Sequence, residues 1–331
     1  MTSPHPRPQV LLNVARPWGE SSPEAVAEAA AAAGLDGVGL ADSPTLFTDP
    51  LLAAERVLSS TDLAVVGPCV LSLGIREPTT VVGALRTLVE RHGDRVACFV
   101  GRGESSVRNA GLPIPSLREH VASLEHLAQL ASSEGLTLPL VGAASGPRTI
   151  ARASAVLPGV LIDAGVDPAT VARAVAIARS SNPEARIWLF LRAAVADSDQ
   201  AVASAAAPVL GSCAARLAAA PEFYGLSESE TSQAERVAGA HDYRRHGTRA
   251  AAATGVPQAD QALVRDRFMA VGPVDQVSGT VAKLTTLGIA GVVLAGALGG
   301  VLERLPELSS AVRDGLAAAA HDGPSHPEVN P

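Results

Sequence analysis

GPCVLSLGIREPTTVVGALRTLVERHGDRVACFVGRGESSVRNAG, residues 67–111, reads as strand, turn, helix, strand and a glycine-rich polar loop. Residues 63–73 form a nearly continuous apolar run, as expected of a strand covered on both faces. From 78 to 91 the apolar residues Val81, Val82, Leu85, Leu88 and Val89 recur at helical spacing, and His92-Gly93 stops the pattern. Residues 95–100 make a second buried strand, which empties into Gly101-Arg102-Gly103-Glu104-Ser105-Ser106. Buried parallel strands that end in polar loops are where α/β proteins keep their chemistry.

The same rhythm runs outward in both directions. Further strands are expected at 10–14, 37–41, 137–141, 159–162, 187–195 and 291–295. Helices follow them: one starts behind Ser21-Ser22-Pro23-Glu24 and ends at Gly34, and others cover 49–58, 116–133, 168–179, 274–287 and 302–320, with a short one from Ala151. Eight strand–helix repeats predict a closed (β/α)8 TIM barrel of ~250 residues plus insertions. An open doubly wound sheet would gather its polar loops at one switch point. Here they recur after the second, third, fourth and fifth strands, which favours the barrel. Residues 10–320 are read as one barrel domain with a helical insertion at 197–267 after the seventh strand. Residues 1–9 and 321–331 are read as disordered tails.

Composition excludes several function classes. A net charge of −7 opposes a nucleic-acid surface, and 3% aromatic residues leave little for base stacking. The 331 residues are 47% hydrophobic, ample for a large core. Cys69, Cys98 and Cys213 form neither a disulfide framework nor a zinc pattern, so a reducing cytoplasm is expected. The first residues lack a signal-peptide pattern, and alanine-rich runs such as 25–33 are too short for a membrane span.

Three polar stretches are candidates for chemistry. The GRGESS loop has Gly-x-Gly but neither the third glycine nor the distant acid of a dinucleotide fingerprint. Within it Glu104 sits among backbone amides and two hydroxyls, a setting either for proton transfer or for capping the next turn. Residues 142–148, Gly-Ala-Ala-Ser-Gly-Pro-Arg, suit an anion: small side chains admit a ligand to the backbone, a helix starts at Pro147, and Arg148 is at hand. His241-Asp242-Tyr243-Arg244-Arg245-His246-Gly247 reads as a solvated turn or a lid. Its histidines are five apart, which does not place them on one helix face for a metal.

Taken in order, these motifs resemble one family. ADSPTLFTDP after the second strand, GPCVLSLGIREP at the third, GRGESS at the fourth and AASGP at the fifth recur together, with HDYRRHG and RFMAVGPVDQVSGTVAKLTTLGIAGVVLAG behind them. The set is similar to the luciferase-like flavin and deazaflavin oxidoreductases, in particular the methylenetetrahydromethanopterin reductase-like branch that uses coenzyme F420. The resemblance implies a (β/α)8 barrel with the cofactor at the C-terminal ends of the strands. It implies a non-prolyl cis peptide at Cys69-Val70 supporting the tricyclic ring, with Ser72 beside the bulge. Asp42 and Ser43 match ring-contacting positions, and Glu104 matches an acid near the ring that serves in proton transfer. Gly101, Arg102, Gly103 and Ser105 surround that acid. Ala143, Ala144, Ser145, Gly146 and Pro147 match backbone that binds the cofactor side chain and phosphate, with Arg148 adjacent. The chain departs from the usual pattern at Cys69 (commonly glycine), Ser72 (asparagine), Glu77 (histidine) and Ser43 (often histidine).

The implied activity is an F420-dependent reductase passing hydride to a C=N or C=C bond of a small or peptide-borne metabolite. An FMN-dependent monooxygenase and a non-catalytic ligand-binding barrel are the alternatives. A homodimer is the expected assembly, with no nucleic-acid or membrane partner.

Overall fold

The computed structural model describes residues 7–15, 20–240 and 255–321. Nine parallel strands appear in it: β1 (Gln9–Val14), β2 (Gly37–Leu40), β3 (Val65–Ser72), β4 (Cys98–Gly101), β5 (Leu140–Ala144), β6 (Gly159–Ile162), β7 (Arg186–Val195), β8 (Met269–Gly272) and β9 (Gly291–Ala295). β1 pairs with β2 on one edge and with β9 on the other, and β6 pairs with β7. The lower half of β7 pairs with β9 through Trp188–Leu191. These pairings close an eight-strand ring, the (β/α)8 barrel expected from the strand–helix rhythm. The upper half of β7, Arg192–Val195, pairs instead with β8.

Helices α1 (Pro23–Ala32), α2 (Pro50–Ser60) and α3 (Pro78–His92) follow the first three strands. Each has proline in its first turn, and each is capped by the side chain before it: Ser22, Asp49 and Glu77. The cap accepts an amide that would otherwise have no partner, and proline gives up only an N–H the helix does not need. β4 leads to α4 (Glu104–Asn109) and to α5 (Leu117–Ser133), whose Ser116 and Glu119 form a capping box. α6 (Pro147–Val156) and α7 (Pro168–Ser181) follow β5 and β6. Beyond β7 lie α8 (Asp199–Ala206), α9 (Leu210–Ala219), α10 (Pro221–Tyr224), α11 (Glu228–Gly239) and α12 (Gln258–Phe268), the expected helical insertion. α13 (Val274–Thr285) and α14 (Leu305–His321) close the outer layer.

The core has two parts. Between strands and helices lies a large aliphatic layer, and inside the barrel Leu11, Phe99, Val141, Leu161, Trp188 and Val293 fill the space. Phe99 and Trp188 meet edge to face with centroids 5.3 Å apart, so the barrel is plugged rather than hollow. The barrel axis is therefore closed to a ligand at the level of this plug.

Some boundaries move. β5 starts three residues later than the periodicity suggests: pairing with β4 begins with the bond from the Cys98 amide to the Pro139 carbonyl and the Cys98–Leu140 register. Gly142, Ala143 and Ala144 are consequently strand residues, and only Ser145 and Gly146 form the turn. β8 escapes a reading by period, being four residues long and joined to α12 without a break. Gln9 is the first residue of β1 rather than the end of a tail, and Arg7 pairs with Asp36 at 2.7 Å. Among the described residues no single helix is long and apolar enough to cross a membrane, although the bent pair α8–α9 passes that test by length and composition. The HDYRRHG stretch and residues 1–6 and 322–331 lie outside the described residues.

Candidate active site

The C-terminal ends of β1 to β4 carry one hydrogen-bonded frame. The Asp42 carboxylate, just past β2, is wholly buried. Its Oδ2 accepts the Ser72 amide of β3 at 3.0 Å and Arg76 Nε at 2.8 Å, while Oδ1 accepts Arg76 Nη2 at 2.9 Å. The two-pronged guanidinium grip compensates a charge that would be costly to bury alone. Arg76 also donates to Asp49, the cap of α2, at 2.8 Å. The hydrogen bonds to Asp42 raise Arg76 above its ordinary value against the opposing effect of burial. Burial acts to raise Asp49, but its bonds from Arg76 and from the Leu52 and Leu51 amides hold it below the usual carboxylate range. The Ser106 hydroxyl donates to the Asp42 carbonyl, and Asn13 Nδ2 of β1 donates to the Cys69 carbonyl of β3.

The frame surrounds an irregularity. The Cys69-Val70 peptide is cis, as the family resemblance implies. The β3–β4 register shifts between Cys69 and Leu71, which takes Val70 out of the pairing. Cys69 stands where glycine is usual, and its bulk is accommodated across the sheet: a Cβ on Gly39 of β2 would lie 2.4 Å from the Cys69 Cβ. A glycine on one strand thus makes room for the side chain on the next.

Above the barrel plug, three apolar residues packed against it keep partial exposure: Val70 and Ala143 near the ends of β3 and β5, and Phe190 midway along β7. Gly101 of β4 lies between the first two. A Cβ there would meet Val70 Cγ1 at 2.8 Å and Ala143 Cβ at 3.4 Å, so its absence leaves a continuous apolar floor.

The other sequence candidates fall around this floor. Ser72 is fully buried with its hydroxyl 3.4 Å from the Arg102 carbonyl. Gly103 has φ of +70° and sits against Ser72, where a Cβ would come within 1.9 Å of the hydroxyl. The Ser43 hydroxyl is buried and meets no partner among the described residues. Glu104 is the first residue of α4 and pairs with Arg102 at 3.1 Å, with half of its side chain exposed. Gly103 occupies the cap position without a side-chain cap bond, so Glu104 is not the cap of that turn. Ser105 is half-buried beside it. At the other candidate stretch, Ala144 ends β5, Ser145 and Gly146 turn the chain, and Pro147 starts α6 with Arg148 exposed in its first turn.

Asn13 and Arg76 were not among the residues singled out from sequence, and neither was a second charged group at the ends of β6 and β7. There Arg192 donates to both oxygens of Asp163 at 2.5 and 3.0 Å, and Arg216 of α9 reaches the same carboxylate at 3.1 Å. Burial acts to raise Asp163, but Arg192 and Arg216 hold it below the usual carboxylate range. Asn13 and Arg192 each interrupt an apolar strand near its C-terminal end, the one sequence signal that would have found them.

Comparison with known proteins agrees with the barrel fold. The model of the luciferase-like monooxygenase family matches residues 21–291. The chain belongs to that family. Among solved structures, the coenzyme F420 dependent tetrahydromethanopterin reductase from Methanopyrus kandleri is similar with a TM-score of 0.71 at 15% identity, covering 93% of this chain and 99% of that one. An F420-dependent secondary alcohol dehydrogenase in complex with an F420-acetone adduct gives 0.68 at 14% identity, over 93% and 100%. A riboflavin lyase with modified FMN and riboflavin gives 0.62 at 15% identity, over 96% and 94%. A search of curated protein sequences finds no match. The luciferase-like family thus includes this chain at the level of fold, with both F420 and FMN proteins among its structural neighbours.

Proposed function

We propose that this protein is an F420-dependent oxidoreductase that transfers hydride to a C=N or C=C bond of a small or peptide-borne metabolite. The observation that carries the reading is the apolar floor of Val70, the bare Gly101 and Ala143, at the barrel end that also holds the Ser43 hydroxyl, which has no partner among the described residues. A flat aromatic ring with a polar edge fits such a surface: the floor gives it van der Waals contact, and Ser43 gives the edge a hydrogen bond. When bound, a deazaflavin supplies a hydride carried on carbon.

The chain's own residues do the rest. Asn13, Asp42 and Arg76 hold the bulge through the Cys69 carbonyl and the Ser72 amide, so that the floor keeps its shape when ligand arrives. Asp42 acts there as a positioning residue, since Arg76 and Ser72 take its carboxylate. Glu104, its side chain half-exposed beside Arg102, is assigned proton transfer at its carboxylate. The turn at Ser145 and Gly146, the start of α6 at Pro147 and the exposed Arg148 are assigned to the cofactor's phosphate. A homodimer belongs to the same reading, and light scattering tests it.

The deciding experiment is a titration of purified protein with F420 and, separately, with FMN, followed by absorbance. F420 uptake is expected. Uptake of FMN alone would replace the reading with that of a flavin monooxygenase, and uptake of neither would refute an oxidoreductase of this type. Glu104→Gln is expected to keep cofactor affinity within about threefold and to slow turnover by roughly 10²-fold or more. Unchanged turnover would remove Glu104 from the mechanism.

A further inference from the structure

We propose that the Arg192–Asp163–Arg216 cluster recognises a carboxylate or phosphate group on the substrate, across the barrel mouth from the floor at Val70. The inference rests on the oxidoreductase reading and adds the class of substrate to it.

Side chains alternate along a strand, so Trp188, Phe190 and Arg192 of β7 share the inward face. Trp188 is part of the plug, Phe190 is half-buried above it, and Arg192 comes next, at the rim. Asp163 follows directly on β6 at the same rim, with its amide bonded to the Ala144 carbonyl at the end of β5. The cluster therefore stands over the same mouth as the floor, on the β6–β7 side, where the bulge frame of β1 to β4 does not reach.

The charge of the cluster points the same way. Two guanidiniums share one carboxylate, which leaves a local surplus of one positive charge in a chain whose net charge is −7. Arg192 is 5% exposed, and its Nε is buried without a partner among the described residues. A buried charged donor left without an acceptor is unfavourable, and an anionic oxygen removes that deficit. Arg216 keeps 33% of its side chain exposed while bonding Asp163 and the Ser212 carbonyl, so a ligand reaches the cluster through it.

Phe190 and Phe268 lie 5.2 and 5.5 Å from the Arg192 guanidinium carbon and screen it from water. Cys213, Arg216 and Tyr224 come from α9 and α10, so the cluster is roofed by the insertion rather than by the barrel. Burial raises the Tyr224 phenol, which keeps it a donor, and it points that donor at the Ser145 carbonyl 3.5 Å away. That single bond links the cluster to the turn before α6, where the cofactor's own phosphate is assigned.

The test uses inorganic phosphate as the probe, titrated by calorimetry into the free protein and into protein saturated with F420 or FMN, whichever is taken up. Wild type is expected to bind phosphate in both states. Arg216→Gln should weaken that binding by about tenfold or more, and Arg216→Lys should retain it within about threefold. The proposal is overturned if wild type binds no phosphate, if Arg216→Gln leaves the affinity unchanged, or if cofactor saturation abolishes the binding, which would return the site to the cofactor's phosphate. Should neither cofactor bind, the oxidoreductase reading falls, while the Arg216 comparison in the free protein still decides whether the cluster is an anion site.

Discussion

Arg76→Met tests the frame that shapes the site. Methionine keeps much of the side-chain volume but leaves the buried Asp42 carboxylate with the Ser72 amide as its remaining partner among the described residues. Removing one partner of a buried pair costs about 3–5 kcal/mol. Arg76 is itself 19% exposed, so water replaces part of what is lost and the expected cost is at the lower end, about 3 kcal/mol. With unfolding entropy of roughly 2.1 cal/mol/K per residue, a chain of 331 residues then loses about 4 °C of Tm. The assay is calorimetry on the wild type, Arg76→Met, Asp42→Asn and the double variant. If the pair acts as described, the double variant is less destabilised than the sum of the singles by about 2 kcal/mol. Additive losses, or an Arg76→Met Tm within about 1 °C of wild type, would refute the coupling.

Three further outcomes are expected. Gly101→Val places a Cβ 2.8 Å from Val70 Cγ1 on the proposed floor, so cofactor uptake should fall by about tenfold or more in absorbance titrations while the barrel stays folded at a cost of roughly 1–3 kcal/mol. Burial, together with the Asp42 charge, pushes the Cys98 thiol up to about 12, and burial also raises Cys69 and Cys213. Ellman's reagent at pH 8 should therefore detect essentially no thiol in the native protein, and all three cysteines once guanidinium unfolds it. Burial and then the Arg102 charge lower His120 to about 4 from its ordinary 6.5, so the unfolded chain binds the extra proton between those values. That contribution to stability is complete above pH 6.5 and is lost as pH falls toward 4. In calorimetric scans His120→Asn should flatten this acid limb, and an identical limb in wild type and variant would remove His120 as its source.

Much of the barrel was legible in local pattern. The β6 and β9 bounds at 159–162 and 291–295 agree with the structure to the residue, because both runs are short, apolar and begun by glycine. Helix starts were equally clear where serine or aspartate precedes proline, as at Ser22-Pro23, Asp49-Pro50 and Asp167-Pro168. The bulge at Cys69-Val70 was legible only through the family resemblance, since nothing in an apolar run marks the point where pairing slips. β5 was misplaced because its first pairing depends on β4, a partner that periodicity does not see.

The roles of the polar residues divide along the same line. Sequence alone determined that buried strands would deliver Asp42, Ser43, Glu104 and Ser145 to the C-terminal ends of a barrel, because strand, helix and cap are set by neighbours a few residues away. Closure of the barrel decided what each of them touches. Asn13 meets the Cys69 carbonyl 56 residues on, Arg76 crosses 34 residues to Asp42, and Arg192 reaches back 29 residues to Asp163. A buried charge takes whichever partner lies within about 3 Å in space. Separation along the chain carries no record of that distance, so only the folded ring shows that Asp42 is held by the Ser72 amide and Arg76.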